Sequence, residues 1–129
     1  MKQQSLPKLK EKCQTIFNAY IRERDKDKPC ISCGQSKSYK QAGHFFSVKQ
    51  YDGLRFDEFN CNGECAYCNN FDDMHLLKYK ENLIKRIGKD NFEWLEDAAA
   101  GYKIYGYKWS RSQIIELTDV YKQKIKELK

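Results

Sequence analysis

The chain has no run of eighteen apolar residues, so it has no candidate membrane-spanning helix and no membrane partner is expected. Its opening stretch, residues 1–12, is charged and carries no apolar run, and so does not read as a secretory signal. No internal repeat or low-complexity segment is present. Histidine is scarce, with only His44 and His75 in the whole chain. What is there instead is cysteine, six of them. Without a secretory signal they fit a reducing cytoplasm, where paired Cys-x-x-Cys spacing means metal more often than disulfide. Export with the cysteines in disulfides is the alternative.

At 129 residues a single domain is expected over 1–129, with an N-terminal helical part (1–28), a cysteine-rich core (29–88) and C-terminal helices (89–129). The hydrophobic fraction is 40%. The mean hydropathy of −0.87 describes a modest core, to which a metal staple would add stability. The formal charge of +6 is unevenly spread. Residues 1–28 carry eight Lys/Arg against four Asp/Glu, and 101–129 carry seven against three. Residues 29–75 carry four against six. A mildly acidic centre between basic ends suits a divalent cation in the middle and a polyanion around it. An ordinary basic, soluble surface is the plainer reading.

Leu9, Cys13, Ile16, Phe17, Tyr20 and Ile21 recur at three- and four-residue spacing, which predicts a helix over 9–24 with Cys13 in its buried stripe. Residues 25–29 form a charged break, and 30–34 a tight knuckle. Residues 41–48 read as a strand, Asp52-Gly53 as a turn, and 54–56 as the returning strand of a hairpin. Residues 60–70 are polar enough to read as a loop. Helices are predicted from Leu76 to a stop at Gly88, and over 90–100 with Phe92, Trp94 and Leu95 inward and Gly101 closing it. Residues 102–109 interleave aromatics with lysines, the pattern of a nucleic-acid stacking surface or of a packed connector. Ser110 and Gln113 form a capping box ahead of a last helix carrying Ile114, Leu117, Tyr121, Ile125 and Leu128.

Two Cys-x-x-Cys pairs, Cys30/Cys33 and Cys65/Cys68, offer four thiolates that can close a zinc tetrahedron with no open position. Such a zinc is structural. Cys61, four residues before Cys65, is either a competing ligand or a buried neighbour. Between and after the pairs stand His44, Asn60 and Asn69, the last immediately after Cys68. His75 opens the next helix, either as an ordinary residue of its first turn or in contact with phosphate or metal.

The order Cys30-x-x-Cys33, His44, Asn60, Cys65-x-x-Cys68-Asn69 resembles the HNH, or ββα-metal, nucleases, and its ending looks most like the junction-resolving endonuclease VII type. A resemblance to the NinG family of phage lambda, also called Rap, covers nearly the whole chain. It rests on Ala42-Gly-His-Phe45, Phe56-Asp-Glu-Phe-Asn-Cys61, Cys65-x-x-Cys68-Asn69 and Leu83-Ile-x-x-Ile-Gly88, with Tyr20-Ile-Arg-x-Arg-Asp25 in the leading helix. These resemblances imply an α+β fold: a small ββα-metal core with a structural Cys₄ zinc, flanked by N- and C-terminal helices. They imply a phage or prophage endonuclease for branched DNA such as Holliday junctions and D-loops. In that reading His44 is the general base, Asn60 organises the loop by hydrogen bonds, and Asn69 binds a catalytic Mg²⁺ or Mn²⁺. Symmetric cutting of a four-way junction further implies a homodimer.

One departure stands out. Many HNH nucleases carry an acidic or histidine ligand just before the base, and here that place is Gly43. Glycine supplies no oxygen, so another carboxylate is needed. Asp57 is the preferred candidate, with Glu58 and Asp72 as alternatives. Gly43 is also the best support for a rival reading, a non-catalytic zinc-ribbon module that binds DNA as a recombination accessory. A general duplex-cutting HNH nuclease differs from the first reading only in substrate.

Overall fold

A computed structural model describes residues 4–70, 72 and 74–129 of the chain. The first helix, α1, spans Leu6–Arg24. It starts earlier than its apolar stripe requires because the Ser5 hydroxyl accepts the Lys8 N–H and Pro7 sits in the first turn. The stripe buries Cys13, Phe17, Tyr20 and Ile21 against the last helix, α5 (Arg111–Leu128), which opens on the expected Ser110–Gln113 capping box. Between them in sequence lie β1 (Gln41–His44), β2 (Cys61–Glu64), α2 (Ala66–Asn70), α3 (His75–Ile87) and α4 (Lys89–Tyr105). Among the described residues the fold is therefore helix-rich α+β with one two-stranded sheet.

The hairpin differs from the sequence expectation. Strand β1 stops at His44, and residues 54–56 form no strand: Asp52–Leu54 is a single turn of 3-10 helix. The antiparallel partner is Cys61–Glu64, from the stretch read as loop, with Gln41 opposite Glu64 and His44 opposite Cys61. Cys-Asn-Gly-Glu has the composition of a turn, yet all four residues are buried. They are tolerated there because other elements supply their polar partners. The Tyr79 hydroxyl receives an N–H of Asn62 (3.2 Å), and Asp25 receives the Gly63 N–H (2.8 Å).

Alternation along the two strands gives the sheet two different faces. Ala42, His44 and Cys61 turn toward α1, in a core with Cys13, Phe17, Phe56, Ile114 and Tyr121. Gly43, Asn62 and Glu64 turn the other way, toward α3, whose Tyr79 and Leu83 pack with Ile31, Leu54, Phe92, Leu95 and Ala99. A small ribbon thus lies between two helical layers.

Helix α4 also departs from expectation. It runs through Gly101 to Tyr105 and ends on Gly106, at φ 70°. The ring of Tyr102 packs so closely over Gly53 that a Cβ there would meet it at 2.7 Å, and this contact outweighs the weak helix propensity of Gly101. Trp94, expected inward, is 53% exposed; Ala99 takes the inward position instead. The connector is divided: Tyr107 and Trp109 stack edge-to-face, while Ile104 and Tyr105 are exposed. Among the described residues, no helix is long and apolar enough to cross a membrane.

The end of α1 is sewn to β2 by a buried ion pair. Arg24 grips Asp25 with two N–H bonds of 2.7 and 2.8 Å, and also donates to the Cys61 carbonyl at 2.9 Å. Burial pushes the Asp25 carboxyl up, but Arg24 outweighs it and holds the group below its ordinary value. Asp25→Ala leaves the Arg24 charge with neutral oxygen acceptors but no carboxylate, and the Gly63 N–H unpaired. The expected loss is about 3–5 kcal/mol, read as a lowered urea midpoint with the denaturant slope unchanged.

Candidate active site

Gly34, at φ 73°, turns the first knuckle, and its N–H donates to the Cys30 carbonyl at 2.9 Å. The second knuckle straddles the junction of β2 and α2, with Cys65 just after the strand and Cys68 inside the helix. The Ile31 N–H donates to the Gly63 carbonyl at 3.0 Å and brings the two together. The sulfurs of Cys30, Cys33, Cys65 and Cys68 then lie within 4.8 Å of one another. A zinc tetrahedron with Zn–S bonds of about 2.3 Å needs them about 3.8 Å apart, a small side-chain adjustment. Burial raises the Cys30 thiol, but the N–H groups of Cys65 (3.3 Å) and Cys33 (3.5 Å) outweigh it and draw its pKa below the ordinary value. The donor set, all thiolate, fits zinc. Cys61 lies outside the group, fully buried in the α1 core.

His44 ends β1 on the α1 side, its ring centroid 6.5 Å from that of Phe17. Nε2 donates to the Arg55 carbonyl at 3.0 Å, and Nδ1 faces the Cys61 sulfur at 3.9 Å. Burial lowers its pKa below 6.5, so the ring is neutral at neutral pH. Asn60 is fully buried beneath the loop that joins the strands. Its side-chain oxygen accepts the Phe46 N–H at 2.8 Å, and its amide donates to the carbonyls of Phe46 (3.0 Å) and Leu54 (3.2 Å). The same loop carries the Arg55 carbonyl that holds His44.

On the opposite face, Gly43 opens onto two side-chain oxygens. A Cβ placed on Gly43 would run into Glu64 Oε1 and meet Asn69 Oδ1 at 3.3 Å. Asn69 is oriented by its amide, which donates to Gln41 Oε1 at 2.8 Å and leaves Oδ1 toward Gly43. Glu64 is fully buried; its Oε2 takes the Ser32 hydroxyl and the N–H of His75 Nδ1 (2.8 Å). The Tyr79 hydroxyl donates to the Gly43 carbonyl at 2.6 Å and pins the strand there. The arrangement gathers two side-chain oxygens on one face and a neutral imidazole at the next residue, on the other.

The model of the Bacteriophage Lambda NinG protein family matches residues 1–129. The chain belongs to the NinG family. Among relatives in that family, the ninG protein of Escherichia phage 933W is 35% identical over 120 residues, which cover 92% of this chain and 57% of that protein. The ninG protein of Escherichia phage lambda is 34% identical over 120 residues, covering 92% of this chain and 56% of that protein. That of Enterobacteria phage H19B is 40% identical over 87 residues, 67% of this chain and 43% of that protein. The chain thus spans a little more than half the length of the first two of these relatives and less than half of the third. No solved structure matches it.

The carboxylates singled out from sequence in this NinG chain are occupied elsewhere. Asp57 Oδ1 accepts the N–H groups of Phe59 (2.9 Å) and Asn60 (3.2 Å), capping the turn before β2. Asp57 and Glu58 line a shallow cavity with Phe56, Phe59, Trp94 and Tyr121, none of which belongs to the Gly43 face. Glu58 also accepts from Tyr20, Tyr121 and Lys124. Asp72 accepts the Met74 N–H at 2.9 Å and faces Lys78. Sequence reasoning passed over Glu64, Ser32 and Tyr79. The signal for Glu64 was present in its place directly before Cys65, but only the strand register turns it toward Gly43.

Zinc analysis of the purified chain should find one ion per chain. Cys68→Ser should lose it, while Cys61→Ser should retain it, since only the first of these removes a sulfur from the tetrahedron.

Proposed function

We propose that this NinG-family chain is a metal-dependent DNA endonuclease that acts on branched recombination intermediates such as Holliday junctions and D-loops, in the HNH manner and as a homodimer. The observation that carries the reading is the state of His44. Burial keeps the imidazole neutral, and the Arg55 carbonyl takes the N–H of Nε2 at 3.0 Å. The lone pair is left on Nδ1, which acts as general base toward the attacking water. Asn69, with a carboxylate beside it, holds the divalent cation. When bound, that cation neutralises phosphate charge and stabilises the leaving oxygen. The structural zinc fixes the position of Asn69 through Cys68. The α1–α5 edge supplies phosphate contacts, with Arg22, Lys26 and Lys129 around a cavity of about 280 Å³.

One observation favours the non-catalytic alternative: Nδ1 of His44 faces the buried Cys61 sulfur at 3.9 Å. A DNA-binding accessory role would leave the imidazole as core packing. Cleavage of a labelled four-way junction, linear duplex and single strand in Mg²⁺, Mn²⁺ and EDTA separates the readings. His44→Ala should abolish metal-dependent cutting of the junction while leaving junction binding and zinc content in place; binding without cutting by the unmodified chain supports the accessory role. Equal cutting of all three substrates supports a general duplex nuclease. Because burial depresses the His44 pKa, the base stays unprotonated below the ordinary value of 6.5. The acid limb of the cleavage rate against pH should therefore fall below that value, and a limb above it would contradict the assignment.

A further inference from the structure

Glu64 carries an unsolved polar problem. Its side chain is fully buried, its Oε2 is doubly served by Ser32 and His75, and its Oε1 has no hydrogen-bond partner. A buried carboxylate oxygen without a donor costs free energy unless something positive reaches it. The direction of Oε1 is held by the two donors on Oε2, and it aims at the space over Gly43. Asn69 Oδ1 reaches the same space, its own direction held through Gln41. Two preoriented oxygens, one of them anionic, converge where residue 43 has no side chain.

We infer that Glu64, delivered from β2, is the carboxylate ligand of a divalent cation that Asn69 Oδ1 shares over Gly43. This rests on the reading of that site as a cation site for phosphodiester cleavage. The oxygen donors suit a hard cation, Mg²⁺ or Mn²⁺, in contrast to the sulfur-bound zinc beside it. The glycine is then part of the site: any side chain at 43 would displace Oε1, so the carboxylate reaches the cation from the paired strand instead. His75 and Ser32 are the outer supports that set the carboxylate's rotation. Asp57 takes no part, because its oxygen is committed to the turn before β2.

The test is Mn²⁺ binding to the zinc-loaded full chain, followed by the paramagnetic resonance of free Mn²⁺, with zinc content and thermal melting as controls. The unmodified chain should bind one Mn²⁺. Glu64→Gln, nearly the same shape, should weaken it on the order of a hundredfold with zinc retained. Asp57→Asn should leave it unchanged. In a Glu64→Ala background, adding Gly43→Asp moves the carboxylate to the facing strand and should restore binding. Unaltered Mn²⁺ affinity in Glu64→Gln overturns the inference, as does a wild-type chain that binds no Mn²⁺, which would mean that only a water serves Oε1. The nuclease reading fails separately. Mn²⁺ binding lost in Glu64→Gln, in a chain that cuts no DNA, supports the ligand and sinks the nuclease. Metal-dependent cutting that survives Glu64→Gln unchanged does the reverse.

Discussion

The pairing of Gln41–His44 with Cys61–Glu64 is a ribbon too short to persist in water by itself. It persists because both faces are covered and both strands are tied down beyond the ladder. Arg24 and Asp25 hold β2 to the end of α1, Tyr79 holds the Gly43 carbonyl to α3, and Ile31 binds the first knuckle to Gly63. Every group at the candidate site takes its direction from this register. A slip of one residue would turn Glu64 to the α1 core and carry His44 to the other face.

The four-thiolate cluster and the ribbon reinforce each other. The cluster sits where β2 passes into α2, so a zinc ion there fixes the step between Glu64 on the strand and Asn69 on the helix. The thiolate cluster and the side-chain oxygens over Gly43 are chemically unlike, soft sulfur against hard oxygen. His44 is set apart from both by the sheet itself, one residue along the chain but on the opposite face. Its neutral state follows from burial against Phe17 and Cys61 and from the nearby Arg55 charge, which together outweigh the upward pull of the hydrogen bond to the Arg55 carbonyl.

Much of the frame was legible in sequence. The apolar stripe of α1, the Gly88 stop, the capping box of α5 and the paired cysteines each depend on local spacing or on chemistry that only one arrangement satisfies. The misses share one cause. Residues 61–64 read as loop because they are polar, and residues 54–56 read as strand because they alternate. Composition has no knowledge of the Asp25 and Tyr79 oxygens that make a polar strand tolerable. Trp94 and the length of α4 went astray for a similar reason, since Tyr102 over Gly53 is a contact between residues far apart in the chain.

By itself, then, the sequence determined the four paired cysteines that could hold a metal ion, the stop of α3 at Gly88, the cap of α5 and the family, because these rest on short-range spacing and residue identity. Tertiary structure alone decided which strand answers β1 and which carboxylate stands beside Asn69. Strand partners and the faces that side chains take are set by the register between distant segments. That register is chosen by buried hydrogen bonds that no local pattern records.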